Sequence, residues 1–297
     1  MSSPTQQVDI DAILAPAGAV EDYMRAFIDV RPLPGNLADA VRYSLLGPGK
    51  RLRPILVVRS CEAVGGSLEA ALPSAAAMEM IHCFSLVHDD LPAMDDDDLR
   101  RGRPTLHKHT SEAMAILAGD AMTTLAFELL AQRINDAGLA RSLMRELAEA
   151  TNDMIAGQVY DTLPDFAPDM ADLERLKTIH RHKTGALIRC SCRMGAIAGG
   201  GNARQVEALT QYAQAIGLMF QVIDDLLDVT QTTEHLGKAV KKDADKGKLT
   251  YPGLLGVDGS RREVARLHDE ALDALQRLGE PANPLRDLCR YMAVRTR

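Results

Sequence analysis

Between Ala75 and His88 the chain reads AAAMEMIHCFSLVH, a segment that is apolar almost all round rather than alternating or striped. Such a segment cannot be a half-buried strand or a surface helix, so it predicts a central helix buried on every side, around which other helices must pack. Its few polar residues are not scattered: His82, Ser85 and Asp89 recur at spacings of three and four and share one face.

The surrounding sequence supplies partners for that helix. Val206, Leu209, Ala213, Ile216, Phe220, Ile223 and Leu227 recur at three and four and draw one apolar stripe, while Gln221, Asp225 and Asp228, with Asp224, project from another side of the same turns. Helices are expected near 18–30, 36–46, 54–64, 68–90, 111–133, 138–158, 172–198, 203–229, 260–279 and 283–294, with breaks that carry Gly or Pro. The 22 Gly and 14 Pro cluster in a few places, aromatics are scarce and no repeat or low-complexity linker interrupts the chain. The fold class expected is all-α, in one domain over residues 1–297, with 1–17 as a flexible N-terminus. A chain of this length can bury about 75% of its unfolded surface.

Charge and composition exclude several functions. A net charge of −7 argues against a sequence-independent nucleic-acid binder, and the absence of Trp with only five Phe leaves no stacking platform for single strands. No stretch approaches the roughly 20 consecutive apolar residues of a membrane span, and MSSPTQQVDID lacks the features of a signal peptide. The expectation is a cytoplasmic protein without stable membrane insertion. Cys61, Cys83, Cys190, Cys192 and Cys289 are odd in number and form no CxxC pair, so they read as ordinary buried thiols.

Two acidic clusters carry the chemistry. The central helix runs into HDDLPAMDDDDLRRGRP, with Asp89, Asp90 and Asp95 to Asp98, and the striped helix runs into DDLLD, with Asp224, Asp225 and Asp228. Carboxylates at a helix C-terminus are disfavoured by about 0.3–1 kcal/mol each through the macrodipole, and their mutual repulsion adds to this. Something cationic is therefore expected between the clusters. Hard oxygen donors suit Mg²⁺ shared with a substrate's phosphates, with Mn²⁺ as its substitute, and the spacing is not that of an EF-hand. An isolated run of four Asp would read as a solvated loop; two clusters on two apolar helices do not. Cations follow each cluster: Arg100, Arg101 and Arg103 the first, and Lys238, Lys241, Lys242, Lys246 and Lys248 the second. Lys50, Arg51 and Arg53 surround a Gly-rich loop with Pro54 as the expected first helical residue, a setting for an anion at a helix N-terminus. They can be salt-bridge partners or seats for two polyphosphates, and no nucleotide-binding phosphate motif is present.

At this point the sequence resembles the trans-isoprenyl diphosphate synthases, most closely the bacterial short-chain type that makes farnesyl diphosphate. GPGKRLRP, MEMIHCFSLVHDDLPAMDDDDLRRGRPT, ILAGDAM, GQVYD, HKTGALI, FQVIDDLLDV and LGK with GKLTYP occur in the family's order. The resemblance implies a homodimer of helical bundles, each around a central cavity. It implies two or three Mg²⁺ ions held by Asp89, Asp95 and Asp224, with Asp90, Asp225 and Asp228, and an allylic diphosphate also contacted by Arg100, Lys183, Lys238 and Lys248. It assigns isopentenyl diphosphate to Lys50, Arg53, His82 and Arg101, and gives Thr184 and Gln221 as neutral dipoles beside an allylic cation. The allylic substrates would be dimethylallyl and geranyl diphosphate.

Product length in this family is set just upstream of the first Asp pair. Phe84 lies five residues before Asp89, about 7.5 Å along a helix axis, where an aromatic ring would form a floor and give a C15 product, with Ser85 beside it. Geranylgeranyl (C20) and geranyl (C10) diphosphate synthases are the alternatives within the family. A class I cyclase has no use for the second diphosphate site, and a non-catalytic partner of a synthase would be expected to lose ligands that are all present here.

Overall fold

The computed structural model describes residues 9–235 and 249–294, the side chains of 230–235 excepted. The helices in chain order are α1 (Ile10–Leu14), α2 (Ala17–Asp29), α3 (Gly35–Leu45), α4 (Leu52–Ala63), α5 (Leu68–Asp89), α6 (Leu106–His109), α7 (Glu112–Arg133), α8 (Ala137–Thr162), α9 (Asp172–His180), α10 (Ala186–Ala198), α11 (Ala203–His235), α12 (Tyr251–Ala274) and α13 (Asn283–Val294). A π-helical turn, Arg181–Gly185, joins α9 to α10, and two 3₁₀ turns join α12 to α13. The strand content among the described residues is one hairpin, β1 (Leu99–Arg100) with β2 (Arg103–Pro104). The chain is all-α, and its helix starts are written locally: Ser67, Ser111, Asp136 and Thr250 each accept a hydrogen bond from the backbone N–H three residues on.

Helix α5 is the central element. Ala71 to Val87 includes thirteen buried positions, and the helix packs against α4, α7, α10 and α2. The buried apolar residues fall into two clusters, one around α5, α7 and α8 and one around α11, α12 and α13. Helices α4 and α10 belong to both, turning Val57, Val58 and Cys61 one way and Ile55, Leu56 and Ala63 the other. The α11 stripe lies on the second cluster, with Leu209, Ala213 and Ile216 fully buried.

Several expectations need correction. Part of the segment expected to be flexible is helical, since Ile10–Leu14 forms α1, packs on α13 and buries Ile13 in the second cluster. Helix α4 starts at Leu52, not Pro54, after Arg51 at φ 50°. Helix α12 begins at Tyr251 rather than 260, with a break at Gly256 where φ is 70°, and it ends at Ala274 rather than 279. Helix α11 runs on to His235, so Asp224, Asp225 and Asp228 lie more than a turn from its end and the macrodipole argument does not reach them. By length and composition, α5 and α7 could each cross a membrane. In the fold α5 is a core helix, whereas α7 leaves Ile116 and Leu117 exposed.

One ion pair anchors the start of α4 to the middle of α5. The Arg51 side chain turns inward, donating to Glu79 Oε1 and to Glu21 Oε1, both at 2.8 Å, and to the Gly47 carbonyl at 2.7 Å. The Arg51 and Glu79 side chains are each only 2% exposed. Removing one partner of such a pair leaves the other charge buried and unsatisfied. Glu79→Leu should therefore lower the unfolding free energy by about 3 kcal/mol, the low end of the usual range because Glu21 remains. Equal urea midpoints for the variant and the parent chain would refute this role.

Candidate functional site

The polar face of α5 opens into a cavity of about 660 Å³. His82, Phe84, Ser85, His88 and Asp89 line it from α5, Arg53 from α4, Met154, Ile155, Gln158 and Val159 from α8, and Lys183 and Thr184 from the π-helical turn. Seven of the residues singled out in the sequence thus share one cavity. The wall is mostly apolar near Phe84 and charged near Asp89, a shape suited to a ligand with an apolar tail and an anionic head.

At the charged end, the loop after α5 folds back onto the helix terminus. The N–H groups of Leu91 and Asp95 donate to the carbonyls of His88 and Asp89, at 3.2 and 2.9 Å, satisfying acceptors that the helix end leaves open. This return brings Asp95 beside Asp89. Burial above all, with the nearby Asp95 and Asp90 charges, pushes the Asp89 carboxyl up to about 6 against the pull of Lys183 and Arg100. Lys183 is itself fixed by Asp161, whose Oδ2 accepts from Nζ at 2.6 Å. Asp161 belongs to the GQVYD motif, whose glycine has a steric reason: a Cβ on Gly157 would lie 2.1 Å from the Lys183 nitrogen. Helix α8 and the turn therefore meet backbone to backbone.

A second cationic group lies at the junction of α4 and α5. Arg53 Nη1 is 3.1 Å from His82 Nε2, and Arg53 Nε has no hydrogen-bond partner among the described residues. Burial first, and then the Arg53 and Arg101 guanidiniums, hold His82 well below the ordinary imidazole value, so it stays neutral and accepts from Arg53. Burial and Arg101 lower Arg53 to about 10, with Glu79 opposing. An incompletely satisfied guanidinium beside a neutral imidazole is a receptor for an anion. Lys50 is exposed on the loop before it.

Other expected ligands are engaged elsewhere. Arg100 Nε donates to both oxygens of Asp90, at 2.8 and 2.9 Å, and Asp90 is buried. This pair and Arg101 line a separate hollow of about 70 Å³ beside Gly47 and Pro48, not the large cavity. Arg101, at φ 53°, and Gly102, at φ 75°, form the two-residue turn of the β1–β2 hairpin, which carries the Arg101 guanidinium to the Pro48 carbonyl at 2.7 Å. Arg51, grouped with Lys50 and Arg53 in the sequence, is in the buried pair with Glu79. Asp225 accepts from the Tyr251 N–H at 2.9 Å and lies 3.6 Å from His180, so it caps α12. Gln221, Asp224, Asp225 and Asp228 do not line the large cavity. Among the described residues no three carboxylate, imidazole or thiolate groups stand as a ready metal cluster. Lys238 and Lys248 lie outside the described residues.

Comparison with known proteins identifies the family. The sequence model of the family described as polyprenyl synthetase matches residues 34–278. This chain belongs to that family. Polyprenyl synthetases similar to it include geranylgeranyl pyrophosphate synthase 11, chloroplastic, of Arabidopsis thaliana, 49% identical over 271 residues that cover 88% of this chain and 75% of that protein. The chloroplastic geranylgeranyl pyrophosphate synthase of Catharanthus roseus is 46% identical over 267 residues, covering 88% and 74%. Among solved structures, an FPP/GFPP synthase from Zymomonas mobilis is 36% identical with a TM-score of 0.83, covering 96% of this chain and 99% of that one. A geranyltransferase from Legionella pneumophila is 33% identical with a TM-score of 0.85 and covers 97% of both chains. The chain is thus a prenyltransferase of the trans-isoprenyl diphosphate synthase type.

Three residues that pattern reading missed complete this polyprenyl synthetase site: Glu79, Asp161 and Gln158. Glu79 left a signal, because a lone acid in an all-round apolar helix must find a buried partner. The raised pKa of Asp89 gives a prediction. A carboxyl held above its unfolded value near 4 contributes stability below that value and loses it as the pH rises through about 6. In metal-free buffer, wild type should therefore lose stability relative to Asp89→Asn between about pH 4 and pH 7, read from urea midpoints. A pH-independent difference between the two would contradict the burial argument.

Proposed function

We propose that this prenyltransferase condenses dimethylallyl, geranyl and then farnesyl diphosphate with isopentenyl diphosphate, each step releasing one diphosphate and one proton, so that C20 is its main product. Similarity to geranylgeranyl pyrophosphate synthases at 44–49% identity supports that length over the C15 expected from the sequence. One observation favours a second reading. Phe84 is 8% exposed, meets His88 edge to face with ring centroids 5.7 Å apart, and contributes its side chain to the cavity wall, as a floor for a C15 tail would.

The observation that carries the proposal is a mostly apolar cavity lined by two separate cationic groups, Arg53 with His82 and Lys183 with Thr184, and by the Asp89 carboxylate. Arg53 and His82, with Lys50 and Arg101 on the adjoining loops, would receive isopentenyl diphosphate. Lys183, steadied by Asp161, with Lys238 and Lys248, would receive the allylic diphosphate; Arg100 would act through Asp90. The clustered hard oxygens of Asp89 and Asp95, one of them partly desolvated, suit Mg²⁺ in two or three ions, with Asp224 and Asp228 as the opposing ligands and Asp90 and Asp225 in supporting positions. When bound, the metal supplies charge neutralisation of the departing diphosphate. The chain's own residues orient the two substrates, exclude water from the allylic cation, and surround it with the Thr184 hydroxyl and apolar side chains that cannot trap it.

A homodimer is part of the proposal. Ile116, Ile155, Val159 and Leu163 line the cavity and are 46%, 46%, 44% and 69% exposed, a wall that a second copy would cover. A cytoplasmic location remains the reading of the sequence.

Asp89→Ala and Asp224→Ala should each reduce turnover by at least about 100-fold while remaining folded. Near-normal turnover in a folded variant would sink the ligand assignment. Chromatography of products from dimethylallyl and isopentenyl diphosphate should give C20 as the main product; a C15 main product would favour the second reading. Phe84→Ala should lengthen the product by an isoprene unit in either case, whereas a larger apolar residue at Ser85 should shorten it. An unchanged distribution in active Phe84→Ala would put the floor elsewhere.

A further inference from the structure

The π-helical turn Arg181–Gly185 borders two cavities. Lys183 and Thr184 line the one already described, whereas Arg181, His182 and Gly185 line another of about 470 Å³, enclosed by α8, α9, α10, α11 and α12. That volume is within the range that holds small ligands, roughly 300–1,000 Å³. Its floor is small and apolar, with Gly185, Ala186, Ala215 and Leu218, and its walls are charged.

All but one of the wall cations are engaged in ion pairs. The wall carboxylates are Asp153, Glu263 and Glu270, and each is taken by a wall arginine: Asp153 by Arg189 at 2.9 Å, and Glu263 and Glu270 by Arg266 at 2.8 and 2.7 Å. Lys177 pairs at 3.0 Å with Glu174, which is not in the lining. Arg181, four residues on and so on the same helical face, makes no ion pair among the described residues. Arg181 is thus the wall cation left without an ion-pair partner among the described residues, and it sits on the turn that bears Lys183.

The turn is also tightly held. A Cβ on Gly217 of α11 would be 3.3 Å from the Gly185 Cα, and α8 touches the other side of the turn at Gly157. Lys177 lies on the helix that leads into this turn and Arg181 on the turn itself, so both are joined to Lys183 through a closely packed stretch of backbone. We propose that this second cavity binds a small organic phosphate monoester through Lys177 and Arg181, its short apolar body on the Ala186–Ala215 floor, and that occupancy alters catalysis through Lys183. The binding half stands on the cavity alone; the catalytic half rests on the prenyltransferase site proposed above.

The probe is n-butyl phosphate, titrated calorimetrically into the full chain. The expected result is a site whose affinity falls about tenfold, 1.4 kcal/mol, in Lys177→Gln/Arg181→Gln and is unchanged in Arg53→Gln. Both replaced side chains are at least partly exposed, and thermal unfolding checks the fold of the double variant. Equal affinity in the double variant, loss of the site in Arg53→Gln instead, or no binding at millimolar ligand would each overturn the binding proposal. With both prenyl substrates saturating, the ligand should change kcat of the parent chain and not of the double variant. A purely competitive effect that persists in the double variant would overturn the coupling. Because calorimetry needs no turnover, a wrong substrate assignment would leave the binding result intact and so would be told apart.

Discussion

A helix from which water is excluded on all sides leaves its polar side chains to one another, to neighbouring helices or to a ligand. That constraint on α5 organises the rest of the molecule. Glu79 answers it with Arg51, and the pair draws the start of α4 onto the middle of α5. His82 answers it with Arg53, in a cavity where the guanidinium is left incompletely satisfied. Asp89, at the helix end, is answered by no cation at contact distance on its own element, and burial raises its proton affinity. A desolvated carboxylate cluster of this kind is stabilised by a divalent cation far more than a solvated one would be.

The same economy governs the turn that carries Lys183. An α-helical continuation from α9 into α10 would turn each following side chain by about 100°; the extra residue of the π-helical turn resets that phase. Gly157 lets α8 approach the turn backbone, and Asp161 on the next helical turn of α8 holds the ammonium group. The position of Lys183 is thus set by one stretch of α8, which explains why Gly157 and Asp161 occur together in a short motif.

Much of this was legible in the residues. The all-round apolar run marked α5 as central, the three-and-four stripe marked α11, and the stripe of His82, Ser85 and Asp89 marked the cavity face, because helical periodicity converts spacing directly into direction. The motifs in order pointed to the family. Less legible were the boundaries that depend on tertiary contacts: α1 forms where Ile13 can be buried against α13, and α12 starts where Asp225 caps it. Both have a local cap, Asp9 and Thr250, but the contacts that hold these first turns in place come from distant segments.

Sequence by itself determined the helical class, the central position of α5 and the presence of two carboxylate clusters flanked by cations, since these follow from periodicity and composition within single segments. It could not divide those charges into ligands and supports. Arg51 and Arg53 are two residues apart on one loop-to-helix junction, yet only the first is consumed by a buried ion pair. Asp89 and Asp90 are adjacent, yet one faces the cavity and the other is held by Arg100 in a separate hollow. Asp225, next to Asp224 in the second cluster, is turned to the α12 terminus. Adjacent helical residues point about 100° apart, so which one meets a partner depends on what the fold packs against each face, and that is decided by residues distant in the chain.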